Sequence, residues 1–253
     1  MDLFSASLDG LNLAGQVVMH ILFTGRLTGK KLKIWHFVLY FFLLCVIWFV
    51  SNRFSLSGTP SVIAGVLALY ATGRFGMGNQ QLVSWLCAVL AFYISQLSFG
   101  IINSVEAAFF PRFIGSPLLY LLLFAAQVLF FSLCICCYCA VLGLLARTED
   151  SWTPYTGLLL FPSLFFLAAE LYILQMDYSF FLPIISLKEV GKHSTLLLLQ
   201  LIGLAALFCT LYAYRQLCRG FAAQAELQSL VQAAQAQKVY IAEAQARYEQ
   251  TRT

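Results

Sequence analysis

The sequence has little charge, and that charge is unevenly distributed. Only 10% of its 253 residues are Asp, Glu, Lys or Arg, while 61% are hydrophobic; soluble domains have about 25% charged residues. No charged residue occurs at 34–52, 54–73, 75–105 or 113–146, and a membrane-spanning helix needs roughly 17–25 apolar residues. The composition excludes a soluble enzyme, a nucleic-acid-binding domain and a secreted disulfide scaffold. It predicts an all-α membrane protein with the lipid bilayer as its solvent.

Several functional signatures are also missing. The N-terminus, MDLFSASLDG, lacks the basic stretch of a cleavable signal peptide, so we expect the first apolar segment to remain. No Gly-rich phosphate loop or nucleophile elbow occurs. The tract CICCYC, from Cys134 to Cys139, lacks the paired C-x₂₋₄-C turns of structural zinc sites, so its cysteines are predicted to pack as small hydrophobes. We predict no catalytic residue, metal or cofactor in this chain.

The apolar segments predict about seven transmembrane helices, with six as the alternative. They lie at 3–24, 34–50, 61–72, 80–102, 116–145, 152–174 and 195–214. The first contains Asp9 and His20, and it stays open between a transmembrane and a re-entrant segment.

Basic residues in short loops predict the orientation of these segments. The loop after the first segment contains Arg26, Lys30, Lys31 and Lys33. Placing this loop inside puts eight basic residues on the inner side and four on the outer side. Because cytoplasmic loops carry the excess of Lys and Arg, the N-terminus is predicted outside and the C-terminus in the cytoplasm.

The composition changes after Arg219, which divides a predicted multi-pass sensor domain (1–219) from a cytoplasmic dimerisation helix (220–253). The second part is rich in Ala, Gln and Glu, which are strong helix formers. Two heptad positions form a predicted coiled-coil seam, occupied by Leu227, Ala234, Ile241 and Tyr248 and by Leu230, Gln237, Ala244 and Thr251. The alternative is a single helix lying on the membrane surface. The balanced charges of this segment argue against such attraction to anionic lipid.

Residues 237–253, QKVYIAEAQARYEQTRT, carry a resemblance to a known family. Tyr240 is followed by Ala-Glu-Ala, then by Arg247-Tyr248-Glu249 and Arg252. This segment resembles the signalling helix that precedes the phosphoacceptor box in accessory-gene-regulator-type receptor histidine kinases, which have a GHKL-class ATPase domain. The membrane half is similar in layout: a basic first inner loop, a short third segment, a tight turn and a long fourth segment.

The resemblance implies a bacterial plasma-membrane receptor for an extracellular, quorum-sensing peptide or other small ligand. Such a receptor is a homodimer that signals to a cytoplasmic response regulator, and its kinase domain uses ATP and Mg²⁺. The three histidines, His20, His36 and His193, all lie outside the C-terminal helix. The phosphoacceptor and ATP-binding boxes of the family are therefore expected beyond this chain, which is either a fragment or a natural truncation. A terminal helix without a Gly or Pro stop signal favours a fragment.

Polar residues inside the apolar segments are candidate ligand-binding residues, because they are costly in lipid. Glu170 is the only carboxylate deep in an otherwise apolar segment, and Gln96 and Gln200 are predicted at a similar outer depth. Gln127 lies nearer the middle of the fifth segment. Their convergence would form a cavity where a peptide donates its amides to Glu170. The alternative is that each glutamine bonds across a helix interface, which contributes about 0.6–2 kcal/mol.

Two outer loops, 103–117 and 175–194, are expected to form the rim of this site. The preferred function is therefore the membrane sensor half of a two-component receptor histidine kinase. The alternative is a small polytopic transporter or a membrane accessory protein without kinase activity. Transporters commonly show internal repeats or matching broken helices, and the first half of the chain has no counterpart to Pro154, Pro162 and Pro183.

Overall fold

A computed structural model describes residues 2–54, 58–113, 116–145, 152–176 and 190–252. By its internal contacts the chain forms two compact units, Met1–Tyr212 and Ala213–Thr253. The described residues contain helices and turns but no strand. This confirms the all-helical class.

Seven α-helices account for most of the described chain. They are α1 (Asp2–Thr28), α2 (Ile34–Phe54), α3 (Thr59–Ala71), α4 (Gln81–Phe109), α5 (Leu118–Leu145), α6 (Trp152–Met176) and α7 (Val190–Arg252). A π-helix, Thr72–Gly76, continues α3, and a 3₁₀-helix, Phe110–Phe113, continues α4. Helix α7 combines the predicted last membrane segment and the predicted signalling helix in one element.

Four helices of the described residues are long and apolar enough to cross a membrane. They are Ile34–Phe54, Gln81–Ala107, Leu118–Leu145 and the Ser194–Gln245 part of α7. Helix α6 contributes a shorter apolar stretch, Gly157–Ile173. The membrane class is supported, whereas the predicted total of seven or six crossings stays a prediction.

Glycines with positive φ mark two of the turns. Gly29 (φ 63°) follows the end of α1, where the amide of Lys30 donates to the carbonyl of Gly25 over 3.1 Å. Gly58 (φ 81°) precedes α3 and accepts at its carbonyl from the amides of Ser61 and Val62. Both backbones lie in the left-handed region that glycine adopts at little cost. Pro60 occupies the first turn of α3, where a missing amide hydrogen is tolerated.

Helix α4 is the centre of the first unit. Of its most apolar window 72% is buried, against 17% in α2, and it packs against α1, α3, α5 and α6. Glycine permits the close approach of α3, since a Cβ added at Gly65 would lie 2.5 Å from Cζ of Phe92. Polar side chains on α4 therefore lie among other helices and need hydrogen-bond partners there.

The second unit is part of α7 and has a different surface. From Gly220 onward its described apolar side chains are exposed, including Leu227, Leu230 and Ile241 of the predicted seam. The seam positions Ala234 and Ala244 are exposed as well. The side chain of Tyr248 is not among those that the structure describes. The helix is present, and its pairing into a coiled coil stays a prediction.

Candidate functional site

A chain of buried hydrogen bonds links four helices around His20. Nδ1 of His20 lies 2.8 Å from the hydroxyl of Tyr40 on α2, and Nε2 lies 2.9 Å from Oγ of Ser95 on α4. Oγ of Ser95 lies 2.9 Å from the hydroxyl of Tyr138 on α5, which donates to the carbonyl of Ala91 over 2.8 Å. All four side chains are buried. We call this set, with the Ala91 carbonyl, the His20 chain.

The hydrogens of the His20 chain can be assigned from its end. Tyr138 has one hydroxyl hydrogen, which it gives to Ala91; Ser95 must therefore donate to Tyr138, and its own oxygen must accept from Nε2 of His20. Nδ1 then accepts from Tyr40. A neutral His20 protonated at Nε2 satisfies every donor in the series. The hydrogen bonds of the His20 chain then all run in one direction, from Tyr40 on α2 to Tyr138 on α5.

Aromatic rings surround the His20 chain. The ring centroid of Phe92 lies 4.8 Å from that of His20, and Phe23 stacks on Tyr138 at 4.6 Å. These rings keep the hydrogen bonds in an apolar environment, where such bonds are electrostatically stronger than in water and an unpaired partner is costly.

In the sequence His20 was only a reason to doubt the first segment, and Tyr40, Ser95 and Tyr138 were not predicted as site residues. A signal was available on α1, where polar residues recur at every fourth position. The series is Asn12, Gln16, His20, Thr24 and Thr28. Residues four apart are neighbours on a helix surface, so the pattern indicates a polar stripe that winds around α1 toward neighbouring helices.

The predicted ligand residues Glu170 and Gln200 lie together. Nε2 of Gln200 on α7 donates to Oε1 of Glu170 on α6 over 2.7 Å, and their exposed fractions are only 2% and 4%. Among the described residues, Oε1 of Gln200 has no hydrogen-bond partner. The two side chains form a buried hydrogen bond between α6 and α7, and we call them the Glu170–Gln200 pair.

Helix α4 lies beside the Glu170–Gln200 pair. A Cβ added at Gly100 would lie 2.6 Å from Nε2 of Gln200, so glycine leaves the space that this amide occupies. One turn further along α7, the carbonyl of Gly203 accepts from the hydroxyl of Tyr93 over 3.1 Å. The pair is thus held among α4, α6 and α7, which are all represented in the first unit.

The other two predicted ligand residues lie elsewhere. Gln96 lines a cavity of about 360 Å³ with residues of α1, α2 and α3. Gln127 is on α5, and its Nε2 is buried without a hydrogen-bond partner among the described residues. The structure therefore joins Glu170 to Gln200, and it places Gln96 and Gln127 in separate surroundings. Ligand binding by any of the four stays a prediction.

The predicted rim is described only in part. Residues 103–113 continue α4 into the 3₁₀-helix, and Arg112 there is exposed. Residues 114–115 and 177–189 lie outside the described residues. The predicted contribution of these loops to a ligand site is not tested.

The cysteine tract lies on α5, where Cys134 and Cys137 are buried and Cys136 and Cys139 are exposed. Within the described ranges, no group of three or more His, Cys, Asp or Glu side chains is arranged to hold a metal ion. All eight cysteines are free thiols.

Comparison of the chain with protein-family models, curated proteins and solved structures gives no match.

Proposed function

We propose that this chain is the membrane sensor half of a dimeric receptor histidine kinase of the accessory-gene-regulator type. It senses an extracellular peptide or other small ligand and passes the signal to a GHKL-class kinase core, which uses ATP and Mg²⁺ and phosphorylates a response regulator. The resemblance of residues 237–253 supports the family. In this proposal the chain lies in a bacterial plasma membrane, with its N-terminus outside and its C-terminus in the cytoplasm.

The observation that carries the proposal is the continuity of α7. One helix, Val190–Arg252, contains both Gln200, which is bonded to Glu170, and the exposed seam from Leu227 to Tyr248. A continuous helix transmits rotation or translation along its length, since every turn is bonded to the next. A change in the surroundings of Gln200 is therefore carried along the same element as the seam.

The Glu170–Gln200 pair supports a switch at the membrane end of α7. Glu170 is buried and accepts a hydrogen bond from the amide of Gln200, and a hydrogen bond in such surroundings is stronger than one in water. Breaking it leaves two polar groups without partners, so the pair favours one defined position of α7 against α6. A ligand that prefers another position needs a coupling free energy of about 1–3 kcal/mol to produce a useful switch.

The seam supports dimerisation. Leu227 and Leu230 are each more than 60% exposed in the monomer. Packing against the same helix of a second copy would remove this apolar surface from water. A two-stranded coiled coil places such positions in contact. The homodimer then holds two kinase cores together.

The experiment that tests the proposal begins with the coding sequence beyond Thr253. We expect a His-Asp pair within a few codons, followed by ATP-binding boxes. The complete protein should transfer phosphate from ATP to the first of these histidines, and a His→Gln variant at that position should not. A stop codon directly after Thr253 in the native gene, or a complete protein without phosphotransfer, would overturn it.

A further inference from the structure

We propose that the cavity lined by Gln96 binds a small, uncharged ligand that combines an apolar ring or branched chain with an amide group. We call this cavity the α1–α4 cavity. Binding does not depend on the kinase proposal. Only the effect of binding on a cytoplasmic output rests on the proposed function.

The size and position of the α1–α4 cavity suit a small molecule. Its volume is about 360 Å³, and small-molecule sites occupy about 300–1,000 Å³. Its walls come from α1 (between residues 12 and 16), α2 (between 44 and 52), α3 with the preceding Gly58 (58 to 65) and α4 (92 and 96). It therefore lies toward the end of the first unit where α2 ends and α3 begins.

The polar wall presents amides and hydroxyls from all four helices. Its members are Asn12, Gln16, Ser51, Asn52, Ser61 and Gln96. Nε2 of Gln16 donates to Oδ1 of Asn12 over 3.2 Å, which orients both amides. This bond leaves the amide N–H₂ of Asn12 and the carbonyl of Gln16 for a ligand, so the wall offers both donors and acceptors. An amide group, which has both, is its natural complement.

The apolar wall selects the remainder of the ligand. Trp48 and Phe92 contribute ring surfaces, and Leu44 lies beside them. None of the described lining residues is charged. An ionised ligand would lose hydration here without gaining a charged partner, and burying an unpaired charge is costly. The lining therefore favours neutral ligands over charged analogues of the same shape.

Phe92 connects the α1–α4 cavity with the His20 chain. Its ring lines the cavity, lies against His20 at a centroid distance of 4.8 Å, and packs closely over Gly65 of α3. A ligand that moves this ring changes the packing of His20, whose hydrogen bonds join α1, α2 and α4. The site thus has a direct contact through which occupancy reaches the centre of the first unit.

The test measures binding alone, on the purified chain in phospholipid nanodiscs. The probe is radiolabelled N-acetyl-L-phenylalaninamide, and N-acetyl-L-phenylalanine is its matched anionic analogue. Equilibrium dialysis against empty nanodiscs corrects for partition into lipid. We expect saturable binding of the amide, and binding about tenfold weaker for the carboxylate.

Two variants locate the bound probe. Ser61→Phe places a ring in the cavity and should abolish saturable binding, whereas Ser132→Phe makes the same change at an exposed position of α5 and should leave it unchanged. Gln96→Leu keeps the shape but removes an amide, and should weaken binding about threefold to tenfold. It serves as the second test if Ser61→Phe does not fold.

Three outcomes would overturn the proposal: no saturable binding of the amide up to its solubility limit, equal binding of the two probes, or wild-type binding by both Gln96→Leu and a folded Ser61→Phe. A gene without a kinase core would refute the proposed function and leave the dialysis result unaffected. The two failures are therefore distinguishable.

Discussion

Nε2 of His20 lies 2.9 Å from Oγ of Ser95, so a single hydrogen bond joins the C-terminal third of α1 to the middle of the central helix. The other ring nitrogen accepts from Tyr40, which adds α2 to the same contact. Imidazole is the one neutral side chain that offers a donor and an acceptor on opposite edges of a rigid ring. His20 therefore fixes the spacing and rotation of three helices at once.

We expect His20→Leu to destabilise the first unit. The substitution removes two hydrogen bonds and leaves Tyr40 and Ser95 with buried hydroxyls that have lost a partner. Hydrogen bonds between membrane helices contribute about 0.6 kcal/mol on average and up to about 1.7, so the loss should be about 1–3 kcal/mol. Reversible SDS unfolding in mixed micelles measures it. Equal stability of the variant and wild type would show that the His20 chain is not structural.

Tyr138→Phe tests the other end of the same chain. It deletes the hydroxyl that donates to Ala91 and accepts from Ser95, and keeps the ring that stacks on Phe23. We expect a loss of about 0.5–2 kcal/mol. Tyr172→Phe is the matched control, because Tyr172 is 61% exposed; its effect should stay within about 0.5 kcal/mol. Similar effects at the two positions would refute the assignment of the hydrogen bonds.

The Glu170–Gln200 pair predicts a measurable coupling between α6 and α7. Glu170→Ala and Gln200→Ala should each destabilise the first unit, and the double variant should lose less than the sum of both. We expect an interaction free energy of about 0.5–2 kcal/mol from a double-mutant cycle. Additive effects would mean that the 2.7 Å contact does not contribute to stability.

Gly100 should matter only because Gln200 occupies the space beside it. In Gly100→Ala the new methyl group would lie 2.6 Å from Nε2 of Gln200, so the amide must move and weaken its bond to Glu170. We expect a loss of about 1–2 kcal/mol, measured by the same SDS unfolding. Gly143→Ala, with no atom within 4 Å of the added carbon, should be neutral or slightly stabilising.

The same substitution in the Gln200→Ala variant makes the Gly100 prediction specific. Because the amide is absent there, the loss of stability caused by Gly100→Ala should fall close to zero. A penalty that persists there would assign the effect to the backbone of α4 and not to the pair.

The charge-free runs predicted α2, α4 and α5 because bilayer thickness sets how many consecutive apolar residues a crossing needs. The composition change after Arg219 predicted a separate last segment, and it left open whether one helix continues through Arg215 and Arg219, as α7 does. Helices end where the backbone is forced to turn, mainly at Gly and Pro, and a charged side chain does not force a turn.

The site was harder to predict than the helices. Glu170 and Gln200 could be recognised as polar residues within apolar segments. Their hydrogen bond could not be predicted, because it depends on how α6 and α7 pack. His20, Ser95 and Tyr138 come from helices far apart in sequence, and nothing in the separate segments specifies which faces meet. The polar residues at every fourth position of α1 indicated a polar stripe on that helix, but not which residues it contacts.

The exposed seam of α7 predicts a parallel dimer with a defined face. A cysteine at Ile241 should form an intermolecular disulfide rapidly under mild oxidation in native membranes, because facing seam positions approach within the range of a disulfide. Val239→Cys is the matched control: Val239 is similarly exposed, and two residues of helix place it about 200° away from Ile241. Both variants should be made with Cys209→Ser and Cys218→Ser, since both native thiols lie on the same helix. Covalent dimer on a non-reducing gel is the readout, and equal crosslinking at the two positions would refute the seam.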